Sequence, residues 1–317
     1  MSGLRAGVAR DSFEGMKTSG VVIREWEDGD LGEVVELLRA SDDSRVVSPA
    51  GLRHAHATRP ERAQVVELLA ELEGVVVAVG VAGLNSWTTT EGAAWAFVTV
   101  DVPARRQGIG DVLGTMLLEH LRGVGATNAT SFFRFTEEGE RWALARGWRR
   151  LQTGPLIALD PRTVPEPSLP PGFRCVRLSS LEPEAVYDAV TAAALDEPSP
   201  VPNDNIRLDE FVDEWSDPDV DLEASTAVLA EDGEVVAFAF IMIVGDQGRH
   251  GFTGTQPNYR GRGLATAAKR SALRAAAVRG VTRVTTSNAE ENAAMRAINH
   301  KLGFEPIGEH VIVGRDL

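Results

Sequence analysis

Apolar and polar positions along the chain switch repeatedly between a two-residue alternation, which marks half-buried strands, and a 3.6-residue recurrence, which marks amphipathic helices. In the second half this pattern predicts a strand at 173–179, helices at 183–195 and 206–215, and strands at 225–231 and 234–245. A further strand leads into a glycine-rich segment at 256–263. After it come a helix at 263–279, the strand VTRVTTS at 281–287, a helix at 290–302 and terminal strands. Asp232-Gly233 reads as a tight hairpin turn between two of the strands, and Glu73-Gly74 stands at the same place in the first half. Strands and helices interleaved in this way predict an α/β protein with a mixed sheet.

The pattern occurs twice. Arg105-Arg106-Gln107-Gly108-Ile109-Gly110 corresponds to Arg260-Gly261-Arg262-Gly263-Leu264-Ala265, 155 residues later. Leu144-Ala145-Arg146-Gly147-Trp148 corresponds to His300-Lys301-Leu302-Gly303-Phe304 at an offset of 156, and the opening strands VVIREW and CVRLSS lie 154 apart. Three landmarks at nearly one offset indicate a tandem duplication. The prolines of DPRTVPEPSLPPG, residues 160–172, disfavour helix and suit an extended connector. The expected organisation is a loose tail at 1–19, a first domain at 20–160, a linker at 161–171 and a second domain at 172–317.

Composition narrows the function classes. With 317 residues, 43% hydrophobic and 25% charged, the chain has ordinary globular proportions. Its 32 basic and 46 acidic side chains give a net charge of −14, which repels phosphate backbones and anionic headgroups. Neither nucleic acid nor membrane is therefore expected as a partner, and cationic molecules are favoured. Cys175 is the sole cysteine, so intramolecular disulfides and thiolate zinc sites are excluded, no metal is expected, and Cys175 itself reads as a core residue. No run approaches the ~20 apolar residues of a membrane span, and the first residues lack the apolar stretch of a secretory leader. The expected compartment is the cytoplasm.

The chemistry sits in the glycine-rich segments. Gln256-Pro257-Asn258-Tyr259-Arg260-Gly261-Arg262-Gly263 joins a strand to an alanine-rich helix, so backbone N–H groups converge at a positive helix terminus. Small residues at Gly261, Gly263 and Ala265 let a diphosphate approach the backbone, and Arg260 and Arg262 add charge. Neither a Walker loop nor a dinucleotide-type GxGxxG is present.

Thr255 through Ala265 resembles the acetyl-CoA motif of the GNAT superfamily of N-acetyltransferases. Val100 through Gly110 resembles it too, and the two copies span nearly the whole chain. Asn288, Asn292, Met295 and the segment from Asn299 to Phe304 are similar to a GNAT branch in which asparagine ends the fifth strand. The resemblance implies two tandem GNAT-like domains and, in the second, a V-shaped split between the strand before the motif and the strand at 281–287 that receives pantetheine. In the second domain Thr255 would pair with pantetheine, Arg260, Gly261, Arg262, Gly263, Leu264 and Ala265 would hold the diphosphate, and Asn288 and Asn292 would fix the amide arm. In the first, Arg105, Gly108 and Gly110 would hold the diphosphate. An alternative for the asparagines is ordinary helix capping.

Acetyl transfer to an amine needs a neutral nitrogen, a polarised carbonyl and a proton for the departing thiolate. The tyrosine that many GNATs use as the acid is replaced by Asn299, and by Ala143 in the first copy. The strand RHGFTGT offers no glutamate base. His310, His250 and Asp246 are the remaining candidates, with a water relay as a further route. The acidic stretch from Asp204 to Glu223 reads either as a rim attracting a cationic amine or as a solvated face. Phe132 and Thr136 stand where the second copy has Asn288 and Asn292, so the expected catalytic domain is the second.

The function implied is an acetyl-CoA-dependent N-acetyltransferase acting directly on a primary amine of a small molecule, by a monomer or homodimer. A non-catalytic acyl-CoA-binding or regulatory protein and a peptide or protein N-acetyltransferase stand as alternatives.

Overall fold

The computed structural model describes residues 20–317, and the expected tail at 1–19 lies outside the described residues. The first half runs β1 (Val21–Glu25), α1 (Leu31–Ser41), α2 (Pro49–Thr58), β2 (Val66–Leu72), β3 (Val75–Leu84), β4 (Ala93–Val100), α3 (Ile109–Gly123), β5 (Asn128–Arg134), α4 (Glu137–Leu144) and β6 (Arg149–Leu159). The second half repeats this order. It runs β7 (Arg174–Arg177), α5 (Pro183–Ala194), α6 (Leu208–Trp215), β8 (Thr226–Leu229), β9 (Val235–Val244), β10 (Gln247–Thr255), α7 (Leu264–Val278), β11 (Arg283–Ser287), α8 (Ala293–Leu302) and β12 (Glu305–Asp316). The mixed α/β class and the duplication read from the sequence are both present.

All twelve strands form one sheet, ordered β1-β2-β3-β4-β5-β12-β6-β11-β10-β9-β8-β7. Exchanging each strand for its repeat and reversing the list returns the same order, so a pseudo-twofold axis passes between β12 and β6. The two halves have traded their last strands. Strand β12 of the second half pairs with β5 of the first, and β6 of the first pairs with β11 of the second. The axis itself is the long β12–β6 ladder, which begins at Glu305↔Ala158 and ends at Gly314↔Arg149.

Most of the sheet is antiparallel, but β4–β5 and β10–β11 run parallel, and each pair holds together for only three residues. β10 leaves β11 after Arg249↔Thr285, next to a bulge between His250 and Thr253. β4 leaves β5 after Trp95↔Thr130. The split implied for the second half therefore exists, and the first half has its counterpart. Leu113, Leu117 and Leu121 of α3 pack on one face with Val311 and Val313 of β12, while Leu264, Ala268 and Ala272 of α7 pack there with Val284 and Ile241. The opposite face of the second half carries α5 and α6, packed through Val186, Val190, Phe211 and Trp215.

Boundaries differ from the sequence reading for local reasons. A 3₁₀ turn at Leu178–Ser180 shortens the opening strand of the second half. Helix α8 starts at Ala293 because the Asn292 side chain accepts from the Met295 N–H at 3.1 Å and caps it. The terminal strands are a single 12-residue strand. The connector is not wholly extended: Pro161–Thr163 forms a 3₁₀ turn, since proline's fixed φ suits a first helical position. Val164 then enters the core. At Glu73-Gly74 both residues take positive φ, whereas at Asp232-Gly233 only the glycine does.

The acidic stretch is corrected more substantially, because several of its carboxylates are spent on the junction between the halves. Asp204 accepts from the N–H and hydroxyl of Thr89, both at 2.7 Å. Glu210 is buried and accepts from Arg62 Nε at 2.8 Å, and Asp219 accepts from the Ser48 N–H at 2.8 Å. Asp221 pairs with Arg279. A continuous acidic rim is not what this stretch builds.

Gly154 of β6 is the tightest point near the axis. A Cβ there would lie 2.0 Å from the Asn288 carbonyl oxygen, a backbone atom that cannot swing away. Gly154→Val is expected to destabilise the protein by about 1–3 kcal/mol through overpacking, measured as a lower midpoint in urea with an unchanged slope.

Candidate functional site

The split between β10 and β11 has one end on the α7 face of the sheet and the other on the α5–α6 face. On the α7 face the loop 256–263 delivers the chain into α7. Gly261 and Gly263 take φ of +76° and +79°, the left-handed region that costs glycine nothing, and a Cβ on either would meet no neighbour. No side chain caps α7, and its first turn carries no carboxylate, so its N–H groups face outward at the positive end of the helix dipole. Leu264 is buried beneath the loop and Ala265 half-buried beside it. Arg260 donates from Nε to the Thr255 carbonyl at 3.2 Å and pairs with Asp196 at 2.7 Å, while Arg262 lies over the Tyr259 ring at 5.3 Å. Arg260 thus braces the loop, and the backbone forms the cradle.

The first half keeps the outline but fills it. Arg105 donates to the Val100 carbonyl at 3.1 Å, the counterpart of the Arg260 contact, and Gly108 again takes positive φ. Here, however, Glu138 lies 3.3 Å from Arg105 and 3.6 Å from Arg106. Asp111 in the first turn of α3 accepts from Trp142 Nε1 at 2.9 Å and pairs with Arg146. Trp142 lies against Gly110 and Gly114. Neither α3 nor α7 is capped by a side chain, but α3 carries Asp111 in its first turn and has Trp142 beside Gly110, and α7 has no carboxylate there.

Within the second split, the edge of β10 at 251–255 has lost its β11 ladder partners. Thr253 Oγ1 and Asn299 Oδ1 are buried without a hydrogen-bond partner. Unpaired peptide edge, orphaned polar atoms and an open helix terminus are the features that a molecule with an amide-bearing arm and a diphosphate would satisfy. The residues present therefore fit an acyl-CoA. Asn299, at the position of the absent tyrosine, donates from Nδ2 to Asn288 Oδ1 and holds Asn288 in the wall of the split. Asn292 uses its oxygen for the α8 cap, so of the two asparagines it is this one that takes the capping role.

The candidate acid–base residues separate cleanly. Asp246 lies exposed in the turn before β10, bonded to Thr282 and Gln247, away from the open end of the split. His250 is 2% exposed on the α7 side, and neither ring nitrogen has a partner. Burial, reinforced by the charge of Lys269, pushes its pKa well below the usual histidine value. His310 alone of the three lines a cavity.

That cavity, about 220 Å³, lies at the open end of the split on the α5–α6 face. Ser287, Asn288, Gly154 and His310 form its floor, and the loop carrying Glu197, Pro198, Ser199 and Asn203 forms its roof. His310 is 4% exposed, and its Nδ1 lies 3.0 Å from Ser287 Oγ. The two residues sit on strands separated by β6, which at this level carries Gly154. Behind the imidazole, Nε2 faces Asp42 of the first half at 3.7 Å, an ion-pair separation. Burial works to raise the pKa of the Asp42 carboxyl, yet His310 and the Ser44 hydroxyl and N–H outweigh it and hold it well below the usual carboxylate range.

Sequence reasoning missed Ser287, Asp42 and Glu197. Glu197 keeps solvent contact, but the surrounding roof desolvates its carboxyl group and raises its pKa, an effect that the 3.3 Å bond from Asn203 only partly offsets. Ser287 was legible as the end of a strand beside Asn288, without a reason to prefer its hydroxyl. Asp42 had no local signal. A second, smaller cavity of about 120 Å³ adjoins the first and shares Phe132, Ser199, Asn203 and Ile312 with it, adding Phe97, Pro200 and Val201. Among the described residues no cluster of ligand-type side chains is arranged to hold a metal, and no helix is long and apolar enough to cross a membrane.

Comparison with known proteins agrees with this geometry. Residues 189–304 match the model of the acetyltransferase (GNAT) family. A tandem GNAT protein from the clavulanic acid biosynthesis pathway superposes with a TM-score of 0.73 at 19% identity, over 93% of this chain and 98% of its own. A GCN5-related N-acetyltransferase from Sphaerobacter thermophilus gives 0.70 at 18%, over 94% and 96%. At these identities the likeness is one of fold. No curated protein matches the chain in sequence.

Two outcomes follow. Arg260→Ala combined with Gly263→Asp is expected to abolish acetyl-CoA binding in calorimetry, while Arg105→Ala with Gly108→Asp leaves it intact at one molecule per chain. Lys269 is fully buried against Met295 and Phe304, and burial lowers its pKa to about 7. Its unfolded form holds the proton up to a pKa of about 10.4, so folding stability rises with pH between these two values. Lys269→Met is therefore expected to raise Tm at pH 7, with the gain shrinking towards pH 10.

Proposed function

From the match of residues 189–304 to the acetyltransferase (GNAT) family model and the likeness of fold to a tandem GNAT protein, we propose that the chain is an acyl-CoA N-acyltransferase that works in its second half, on a small primary amine. The observation that carries the reading is the pairing of an open, carboxylate-free α7 terminus on one face of the split with a polar cavity on the other. The first half carries Asp111 in the first turn of α3, and Phe132 and Thr136 stand where the second half has Asn288 and Asn292, which supports a structural role for it.

Acetyl-CoA supplies the activated acyl group. The loop 260–265 would hold the diphosphate through backbone N–H groups, and the β10 edge from 251 to Thr255 would align the pantetheine arm. Asn288, fixed by Asn299, would complete the wall. His310 and Glu197 are the two titratable groups that line the acceptor cavity, and either can accept a proton from the attacking nitrogen. The loop carrying Glu197, Pro198, Ser199 and Asn203 covers one side of the cavity, whose volume of about 220 Å³ favours a small molecule over an extended peptide.

With Asp204, Glu210 and Asp219 committed to the junction, Glu197 is the carboxylate left in the cavity lining. One carboxylate suits one ammonium, and the adjoining aromatic and aliphatic surface of Phe97, Phe132, Val201 and Ile312 suits an apolar body. A monoamine fits this better than a polyamine or an aminoglycoside.

Thiol release from acetyl-CoA, measured against monoamines with apolar bodies, polyamines, aminoglycosides, amino acids and peptides, is expected to give the highest kcat/KM with the first group. Tight acetyl-CoA binding with no turnover on any amine would overturn the enzymatic reading in favour of an acyl-CoA-binding regulator.

A further inference from the structure

Resting on the acyltransferase reading, we propose that Ser287, His310 and Asp42 form a proton relay that takes the place of the missing tyrosine, with Asp42 supplied by the first half. Three observations converge on it. Ser287 Oγ and His310 Nδ1 are 3.0 Å apart in the cavity lining at the end of the split. His310 Nε2 has no closer polar partner than Asp42 at 3.7 Å, and it is buried. Asp42 in turn is fixed by the Ser44 N–H at 3.0 Å and hydroxyl at 2.6 Å, on a loop whose Ser44 carbonyl accepts from Thr285 Oγ1 of β11 at 3.3 Å. The loop of one half is thereby tied to the strand that carries Ser287 in the other.

The chemistry balances without a covalent enzyme intermediate. In the resting state Ser287 donates to a neutral His310, whose Nε2–H faces Asp42. As the amine nitrogen bonds to the thioester carbonyl carbon, Ser287 Oγ takes its proton and passes its own to His310 Nδ1. The imidazolium so formed lies against the Asp42 carboxylate, which stabilises it. When the carbon–sulfur bond breaks, the same path runs backwards: His310 returns the proton to Ser287, and Ser287 protonates the thiolate. One proton moves from amine to thiol, and each residue ends as it began. Ser287 is the catalytic group, and Asp42 is a positioning residue that acts through His310.

The charged surroundings are accounted for. Phe132 covers the ring edge-on at 4.8 Å, and Arg134 stands 3.9 Å from Asp42 and pairs also with Asp43, which Arg283 joins at 3.2 Å. Arg45 and Arg249 act on Asp42 from the interior. Glu197 faces the ring across the cavity.

The test uses the full chain with acetyl-CoA and the best amine of the panel. Ser287→Ala is expected to lower kcat by about 100-fold or more, with the KM for acetyl-CoA within about threefold of wild type. Ser287→Thr, which keeps the hydroxyl, recovers most of the rate. Asp42→Asn removes the carboxylate that stabilises the imidazolium formed during transfer, so kcat is expected to fall about tenfold or more with the KM for acetyl-CoA unchanged, and Asp42→Glu, which keeps the carboxylate, recovers part of the rate. Calorimetric acetyl-CoA binding confirms that each variant is folded.

Full activity of Ser287→Ala, an unchanged kcat in Asp42→Asn, or an acetyl adduct on the peptide containing Ser287 would each overturn the relay while leaving the acyltransferase reading standing. Absence of transfer by the wild-type protein would overturn both.

Discussion

The ladder between β12 and β6 is the constraint on which the rest of the molecule depends. Each half ends in a strand that completes the other half's sheet, and the two strands pair with each other along the axis. The exchange joins what would otherwise be two sheets into one of twelve strands. It also places β6, a first-half strand, in the wall of the second half's cavity, and brings His310 to a position from which it reaches Ser287 over Gly154. A site in which Asp42, Gly154, Ser287 and His310 meet exists because the strands cross over.

The two copies show how differently a shared outline can be used. Both halves keep the short parallel pair, the split, the arginine that closes on the preceding strand and the glycine entry to a long helix. What separates them is a handful of side chains. Glu138, Asp111 and Trp142 fill the first cradle, whereas the second is left open. Negative charge at a helix N-terminus stabilises the helix and at the same time repels a phosphate ligand. The first half gains that stability through Asp111, and the second leaves the first turn of α7 free of carboxylates. The carboxylates between 204 and 219 follow the same logic, holding the halves together through Thr89, Arg62 and Ser48.

Much of this was written in the chain in a form that can be read. The repeat, the element order of both halves, the glycine cradle and the split follow from periodicity, from turn chemistry and from one resemblance. The strand exchange does not, because β6 and β12 have the same pattern whichever sheet they join, and strand patterning specifies faces rather than partners. The role of the acidic stretch was misjudged for a related reason: charge in a sequence reports that a carboxylate exists, and the partner that neutralises it, Arg62 for Glu210, stands 148 residues away. His310 was named among three candidates, but the choice between it and His250 needed burial. One lines a cavity and the other is sealed against α7 beside Lys269. Asp42 and Ser287, separated by most of the chain, become a pair only through His310.

The traded strands also bear on the order in which the protein is made. The chain emerges from its N-terminus, and β5, complete by residue 134, can pair with β4 but receives its second native neighbour only when β12 has emerged, at residue 316. Until β11 has emerged β6 has no native partner in place, and until β12 has emerged the first half carries an open strand edge at β5. The first half cannot reach its final sheet on its own, and unpaired edges recruit whatever strand is near. The first half of this duplicated chain therefore closes its sheet only late, with β12 as the clasp.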